Sequence, residues 1–216
     1  MIGKMGGWRK LLPIITYVPF INVFRVHGTK IICNGAALYK CRFHCAGKNN
    51  SIVVSEGAIL RNCKFKIKGN NNVIEIGDSV SIKDGEFWIE EDGNRIEVGA
   101  RSSLCGKIHL ACTEGTCIKI GESCLFSSEI VIRTGDSHSV LNLEGHRINH
   151  AQDVNIDNHV WVGQRVCITK GTHISSNSVV GTGAVCTKSI EESNVVIAGV
   201  PAQIVKRNVT WCNERI

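Results

Sequence analysis

The chain is short of several things. It holds three prolines among 216 residues, and no acidic residue precedes Glu56. It has no CxxC pair, no sustained α-helical periodicity and no long apolar run. Each absence excludes something. A membrane-crossing helix needs about twenty predominantly apolar residues. The most apolar stretch, Leu11 to Phe24, has about fourteen and contains Pro13 and Pro19. Trp8-Arg9-Lys10 precedes it as in a secretory leader, but no small-residue cleavage site follows. The eleven cysteines are scattered, so reduced thiols in a cytoplasmic protein are expected rather than a disulfide framework. In Cys41-Arg-Phe-His44-Cys45, strand alternation points His44 and Cys45 to opposite faces, which argues against a zinc site there. The missing acids leave eight basic residues between Met1 and Ser55, and 17 basic against 19 acidic residues in the remainder. The formal charge of +6 therefore sits in the first quarter. Such a segment either meets an anionic lipid surface or acidic glycan, or is a solvated end.

What the chain does have is a period of six. Ile156, Val162, Ile168, Ile174 and Val180 recur without a miss, and four residues after each stands a small or β-branched partner: Val160, Val166, Thr172, Ser178, Ala184. A strand repeats every two residues and a helix near every 3.6, so neither alone produces six. A flat face with a corner every six residues does. Three faces make an eighteen-residue coil that stacks on its neighbours around a shared core.

The earlier half carries a longer beat. Ile32, Val54, Ile76, Val98 and Ile120 are spaced by twenty-two residues, and turns beginning at Gly47, Gly69, Gly93 and Gly115 precede the last four. Short alternating segments come before the turns, as in Phe43-His-Cys45, Phe65-Lys-Ile67 and Phe87-Trp-Ile89, and each reads as a strand buried on one face. Twenty-two is then eighteen plus four extra residues at one corner, which Gly and Asn can occupy at positive φ. Seven or eight coils at a spacing of about 4.8 Å would stand on the order of 35 Å tall. Cys124 and Cys186 fall on inward positions, where a small apolar side chain is wanted.

Function collects where a regular scaffold is interrupted. The largest interruption lies between Ile132 and Ile156, with a loop insertion at about 134–152 that holds His138, His146, Arg147 and His150. The 36 residues from Ile120 to Ile156 read as two coils of eighteen, with the loop taking up part of one. The expected organisation is a basic and apolar cap over 1–30, a solenoid over 31–190 and a C-terminal tail over 191–216.

The six-residue register, Gly135-Asp-Ser-His138, Asn158-His-Val-Trp161-Val-Gly163, Val180-Gly-Thr-Gly183-Ala-Val-Cys-Thr187-Lys188 and Ile197-Ala-Gly199-Val-Pro201-Ala together resemble the left-handed β-helix hexapeptide acyltransferases. Within them the chain is most similar to O-acetyltransferases of bacterial capsules, O-antigens and other cell-surface sugars. The specific match covers about residues 115 to 206. The resemblance implies an all-β, single-stranded left-handed parallel β-helix, a triangular prism with one active-site excursion. Left-handedness comes from the resemblance alone, since crossover connections are normally right-handed.

The resemblance also implies direct transfer of acetyl from acetyl-CoA to a sugar hydroxyl. A hydroxyl attacks a thioester poorly unless a base takes its proton, and histidine suits that role. His138 is the base by motif, with Ser139 standing where many relatives have proline. Trp161 is placed against the pantetheine arm, beside backbone exposed at Gly163, Gly181 and Gly183. Thr187, Lys188 and Lys206, with Arg207 assisting, are placed near the nucleotide phosphates; Gln203 replaces an arginine of some relatives. Arg147 and His150 either touch an acidic sugar or fix the loop. The implied assembly is a homotrimer with grooves between adjacent chains, cytoplasmic, with the N-terminus able to touch the inner face of the membrane. No nucleic-acid partner and no metal are expected. The rivals are an N-acetyltransferase acting on an amino sugar, a zinc hydratase resembling the γ-class carbonic anhydrases, and a non-enzymatic solenoid scaffold. Zinc would need three converging ligands from His138, His146, His150, His159 and His173, and no triad stands out.

Overall fold

The computed structural model describes residues 21–216. Most of the apolar Leu11 to Phe24 stretch, and residues 1–20 of the expected cap, lie outside the described residues. Each alternating segment forms a strand with its apolar members turned inward. Arg42–Ala46, Lys64–Lys68 and Gly85–Glu90 bury Phe43 and Cys45, Phe65 and Ile67, Phe87 and Ile89. The five residues of the six-residue beat and their five partners are all buried as well, as are Cys124 and Cys186.

The strands stack in parallel on three faces. The first face is a seven-stranded sheet: Thr29–Cys33, Asn50–Val54, Val73–Ile76, Arg95–Val98, Cys117–Ile120, Val154–Ile156 and His173–Ile174. The second carries Ala37–Tyr39, Ile59–Arg61 and Ser81–Lys83, and continues through Trp161–Val162, Val179–Val180 and Val195–Gly199. The third carries Val23–Val26 and the three alternating strands above, and later Cys167–Ile168 and Val185–Cys186. Ser103–Cys112 and Leu125–Arg133 run unbroken across the second and third faces. Each coil visits the three faces and returns one layer on, which makes a parallel β-solenoid. Among the described residues its parallel strands run from Val23 to Gly199. After Pro201 the chain turns back, and Ala202–Arg207 pairs antiparallel with Val195–Gly199.

Stacking in register places like side chains on like. Phe24, Phe43, Phe65 and Phe87 form a column with successive ring centroids 4.9, 4.5 and 4.6 Å apart and planes within 5°. At the corner from third to first face the column is polar. Asn50, Asn72 and Asn94 are buried, and the side-chain oxygens of Asn50 and Asn72 accept the next layer's backbone N–H at 2.9 and 2.8 Å. This ladder satisfies backbone groups that a buried corner would otherwise leave unpaired.

The four extra residues sit at that same corner, since the path from Leu110 to Ile120 is four residues longer than that from Ile168 to Ile174. Two of its glycines are obligatory. Gly47 and Gly69 have φ of 139° and 140°, and a Cβ would lie 1.7 Å from the Gly69 oxygen and 2.0 Å from the Glu91 oxygen respectively.

Two register readings are corrected. Cys33 pairs with Val54, while Ile32 pairs with Val53, so the beat of twenty-two starts only at Val54. The corner at 34–36 is one residue shorter than the equivalent at 55–58. Second, Ile120 pairs directly with Ile156, Leu125 with Trp161 and Ile132 with Ile168. The 36-residue interval is one coil with an eighteen-residue excursion, not two coils. An extra segment as long as a coil preserves the beat, which is why the spacing alone misleads.

Phe65 lies in the middle of the aromatic column and is 1% exposed. Phe65→Ala is expected to cost about 3–5 kcal/mol in urea denaturation. Phe24→Ala, at the half-exposed end of the column, should cost clearly less. Equal losses at the two sites would show that the stack is not cooperative in this way.

Candidate active site

The excursion leaves the third face after Arg133 and is too polar to fold on a core of its own. It closes as a small hairpin: Ile148 N donates to Val140 O at 2.9 Å, Asn142 N to His146 O at 2.9 Å, and Gly145 N to Asn142 O at 3.0 Å. Val140, Leu141, Leu143 and Ile148 are exposed on it, Leu143 completely. Its base is fastened by polar contacts centred on Asn149. The Asn149 side-chain nitrogen donates to His138 O and Asp136 Oδ2, both at 2.8 Å, and its oxygen accepts Val140 N at 2.7 Å. Lys170, from the next coil, donates to Asp136 Oδ2 at 2.5 Å and to Asn149 O at 2.9 Å. Arg147 pairs with Glu114, whose other oxygen accepts Ala151 N at 3.1 Å. Lys170, then Asn149, hold the Asp136 carboxyl below its ordinary range, and Arg147, then the Ala151 N–H, do the same for Glu114.

Between this base and the third face lies a cleft of about 250 Å³. Trp88, Ala111, Glu114, Arg133, His138 and Arg147 are among its walls. The His138 ring is exposed, while its backbone oxygen is tied down by Asn149. The arrangement therefore carries an imidazole on a fastened backbone at the rim of a polar, open-sided cleft, where it could move a proton at a bound hydroxyl. Of the sequence-predicted residues, His138 and Arg147 come together here. His150 Nδ1 is 4.0 Å from Glu114 Oε2 at the edge. Arg147 fixes the loop through Glu114 and also lines the cleft.

The remaining candidates lie elsewhere on the prism. Trp161, Val179, Val196 and Lys206 are successive register partners on the outer side of the second face, so Trp161 and Lys206 share a column. Trp161 is 40% exposed. Gly163, Gly181 and Gly183 lie at the corner from second to third face. Gly163 is buried rather than exposed: a Cβ there would be 2.7 Å from Thr182 N, so coil stacking itself requires glycine. Gly183 is exposed in a turn with φ of 73°. Thr187 and Lys188 are exposed at the corner from third to first face, the one that opens into the excursion two coils earlier. Arg207 is engaged by Glu192 at 3.1 Å. One chain thus separates His138 from Trp161 instead of joining them.

Trp211 is a residue that the sequence reading missed. Its ring stacks on His159 at 4.4 Å and 9°, lies 6.2 Å from Trp161, and donates Nε1–H to His159 O at 2.9 Å. It lies beyond the repeats, so no periodicity marked it.

The histidines do not assemble a metal site. His173 places Nδ1 2.7 Å from Glu191 and Nε2 3.1 Å from Asp157, and His159 Nδ1 is 3.0 Å from Asn177 Oδ1. Among the described residues, no three His, Cys, Asp or Glu side chains are grouped to hold an ion. All eleven cysteines are free thiols, and burial pushes those of Cys124 and Cys186 up to about 11 and about 12, away from ligand or nucleophile chemistry.

No protein-family model matches the chain. It is similar to the polysialic acid O-acetyltransferases of Escherichia coli O1:K1 / APEC, 34% identical over 95 residues, and of Neisseria meningitidis, 38% identical over 95 residues. Each match covers 44% of this chain; the chain spans 31% of the first relative's length and 44% of the second's. The crystal structure of the polysialic acid O-acetyltransferase OatWY superposes with a TM-score of 0.85 at 32% identity, covering 90% of this chain and 92% of that one.

The contacts of His173 set a pH dependence. Partial burial disfavours its charge, but Glu191 and Asp157 outweigh that and raise its pKa above the ordinary value. A raised folded pKa gives stability that is complete below about pH 6.5 and is lost as pH climbs through the raised value. The melting-temperature gap between wild type and His173→Gln should therefore be larger at about pH 6 than at about pH 9. A gap that is constant or grows with pH would show that the two carboxylates do not hold the imidazolium.

Proposed function

The chain belongs to the left-handed β-helix, hexapeptide-repeat O-acetyltransferase family, and we propose from this that it moves an acetyl group from acetyl-CoA to a hydroxyl of a cell-surface sugar or polysaccharide. The observation that carries the proposal is His138, fixed through its backbone at the rim of a cleft, on the one large interruption of the repeat.

His138 takes the proton from the attacking hydroxyl as the new ester bond forms and returns it to the departing thiolate. Acetyl-CoA supplies the thioester on which that attack occurs. This chain has residues suited to hold it: Trp161 offers an exposed aromatic surface for the pantetheine arm, and Lys206 stands on the same column. Lys188 and Lys206 have no carboxylate partner among the described residues, so their charge is open to phosphates. Gly181 and Gly183 lie at the corner beside this column, and Thr187, with Lys188, at the next corner of the same coil. Gly163 contributes by letting the coils close on each other.

His138 and Trp161 sit on different parts of the prism, so the complete site forms where two chains meet. The exposed apolar hairpin around Leu143 supports that contact, and a homotrimer satisfies it for every chain. The relatives named for polysialic acid support an acidic polysaccharide as acceptor. No helix among the described residues is long and apolar enough to cross a membrane. The need for acetyl-CoA supports a cytoplasmic location, with the basic first quarter suited to the inner membrane face.

In an acetyl-transfer assay against sialylated and other surface-glycan precursors, His138→Ala should lower kcat by about 10²–10⁴-fold while CoA affinity by calorimetry changes little. Full turnover in that variant would remove His138 from the chemistry.

A further inference from the structure

The outer ladder along the middle of the third face reads, coil by coil, Arg25, His44, Lys66, Trp88, Ala111, Arg133, each in register with the next. Neighbouring strands are about 4.8 Å apart, so side chains on such a ladder ordinarily touch and leave no room between them. Ala111 interrupts it. Trp88 and Arg133 are separated by roughly two strand spacings, and the residue between them has only a methyl group. The resulting gap belongs to the cleft that His138 overhangs.

One side of the Trp88 indole is already occupied. Lys66 Nζ, from the coil before, lies 3.4 Å from the ring centroid; the His109 ring, on the strand of Ala111, is 6.3 Å away and tilted by 52° at the edge of the gap. The cation–π contact steadies the indole, and the ladder turns its other side toward Ala111. A flat aromatic wall with one missing side chain beside it suits a pyranose ring, whose C–H face can pack there while its hydroxyls keep their hydrogen bonds.

The charges of the cleft are unequal in availability. Arg147 is engaged by Glu114 and Lys170 by Asp136. Glu91 accepts the Thr113 hydroxyl at 3.1 Å and Glu114 N at 3.0 Å. Arg133 is exposed and, among the described residues, has no carboxylate within salt-bridge distance. Glu90, exposed at the floor, would repel a carboxylate and accept hydroxyl protons. The two together orient a sugar acid with its carboxylate toward Arg133.

We propose that Trp88, Ala111 and Arg133 form the seat of the acceptor: the pyranose stacks on Trp88 over Ala111, its carboxylate meets Arg133, and one hydroxyl is presented to His138. This rests on the acetyl-transfer reading above and adds the residues that choose the acceptor.

The test uses the full chain with oligosialic acid and its carboxyl-reduced, neutral counterpart as probes. Trp88→Ala and Ala111→Leu should each raise the acceptor KM at least about tenfold while the acetyl-CoA KM stays within about twofold, and Trp88→Phe should restore most of the loss. Arg133→Gln should weaken the carboxylated acceptor about tenfold and leave the neutral one unchanged, with Arg133→Lys intermediate. Acceptor KM values within about twofold of wild type in both Trp88→Ala and Ala111→Leu would overturn the seat. Calorimetric binding of oligosialic acid reads the seat separately. If wild type binds it but turns over no acetyl-CoA, the acetyl-transfer reading fails and the seat stands. If wild type turns over acetyl-CoA and Ala111→Leu binds the oligomer as wild type does, the seat fails alone.

Discussion

Parallel pairing in register is the constraint on which everything else in this molecule depends. A coil that returns one layer above its start must place like positions over like, so any change of length has to be absorbed at a corner. The chain absorbs nearly all of it at one. The corner from third to first face carries four extra residues in the earlier coils, roofed by the Asn50–Asn72–Asn94 ladder, and then opens into the eighteen-residue excursion. Thr116 and Thr134 continue the ladder where asparagine ends, with Thr116 Oγ1 donating to Thr134 Oγ1 at 2.7 Å. The coils on either side of the excursion still pair as though nothing had been inserted.

That rigidity decides how a site can be made. A solenoid face presents side chains in straight columns and has no concave surface of its own, so a cleft has to come from an overhang or from a second molecule. The hairpin supplies the overhang. It is held by Asn149, Lys170, Arg147 and Glu114, not by apolar burial, which leaves its tip free and its base fixed. The separation of His138 from the Trp161–Lys206 column follows from the same geometry, because they occupy different parts of a prism that cannot bend to bring them together.

The prism and its inward residues were legible because repetition makes a weak signal strong: five hits in five at a period of six, and every one buried. The interval from 120 to 156 was misread because an insertion as long as a coil keeps the beat. A clue was available at residue 138. A middle coil would have required an apolar side chain eighteen residues after Ile120, and the chain has histidine there. The place of His138 on the excursion was legible from its motif, but its anchors were not. Asn149 and Lys170 meet across a coil, and neither type is unusual in a surface loop. Trp211 and the shortened first corner were hidden for the same reason: each departs from the repeat, and the repeat was the only ruler available.

Among columns of touching side chains, the informative position is the one where a side chain is missing. A large residue on the outside of a solenoid is ordinary, since something must occupy each rung. Alanine at 111, between tryptophan and arginine, opens a rung beneath the overhanging histidine. By residue type alone it is the least conspicuous member of the cleft. Its meaning comes entirely from register, because only the pairing of Trp88, Ala111 and Arg133 shows that the gap is bounded by an aromatic wall on one side and an uncommitted cation on the other. Specificity on such a scaffold can therefore change by filling or emptying a single rung, with the core and the transfer chemistry left as they are.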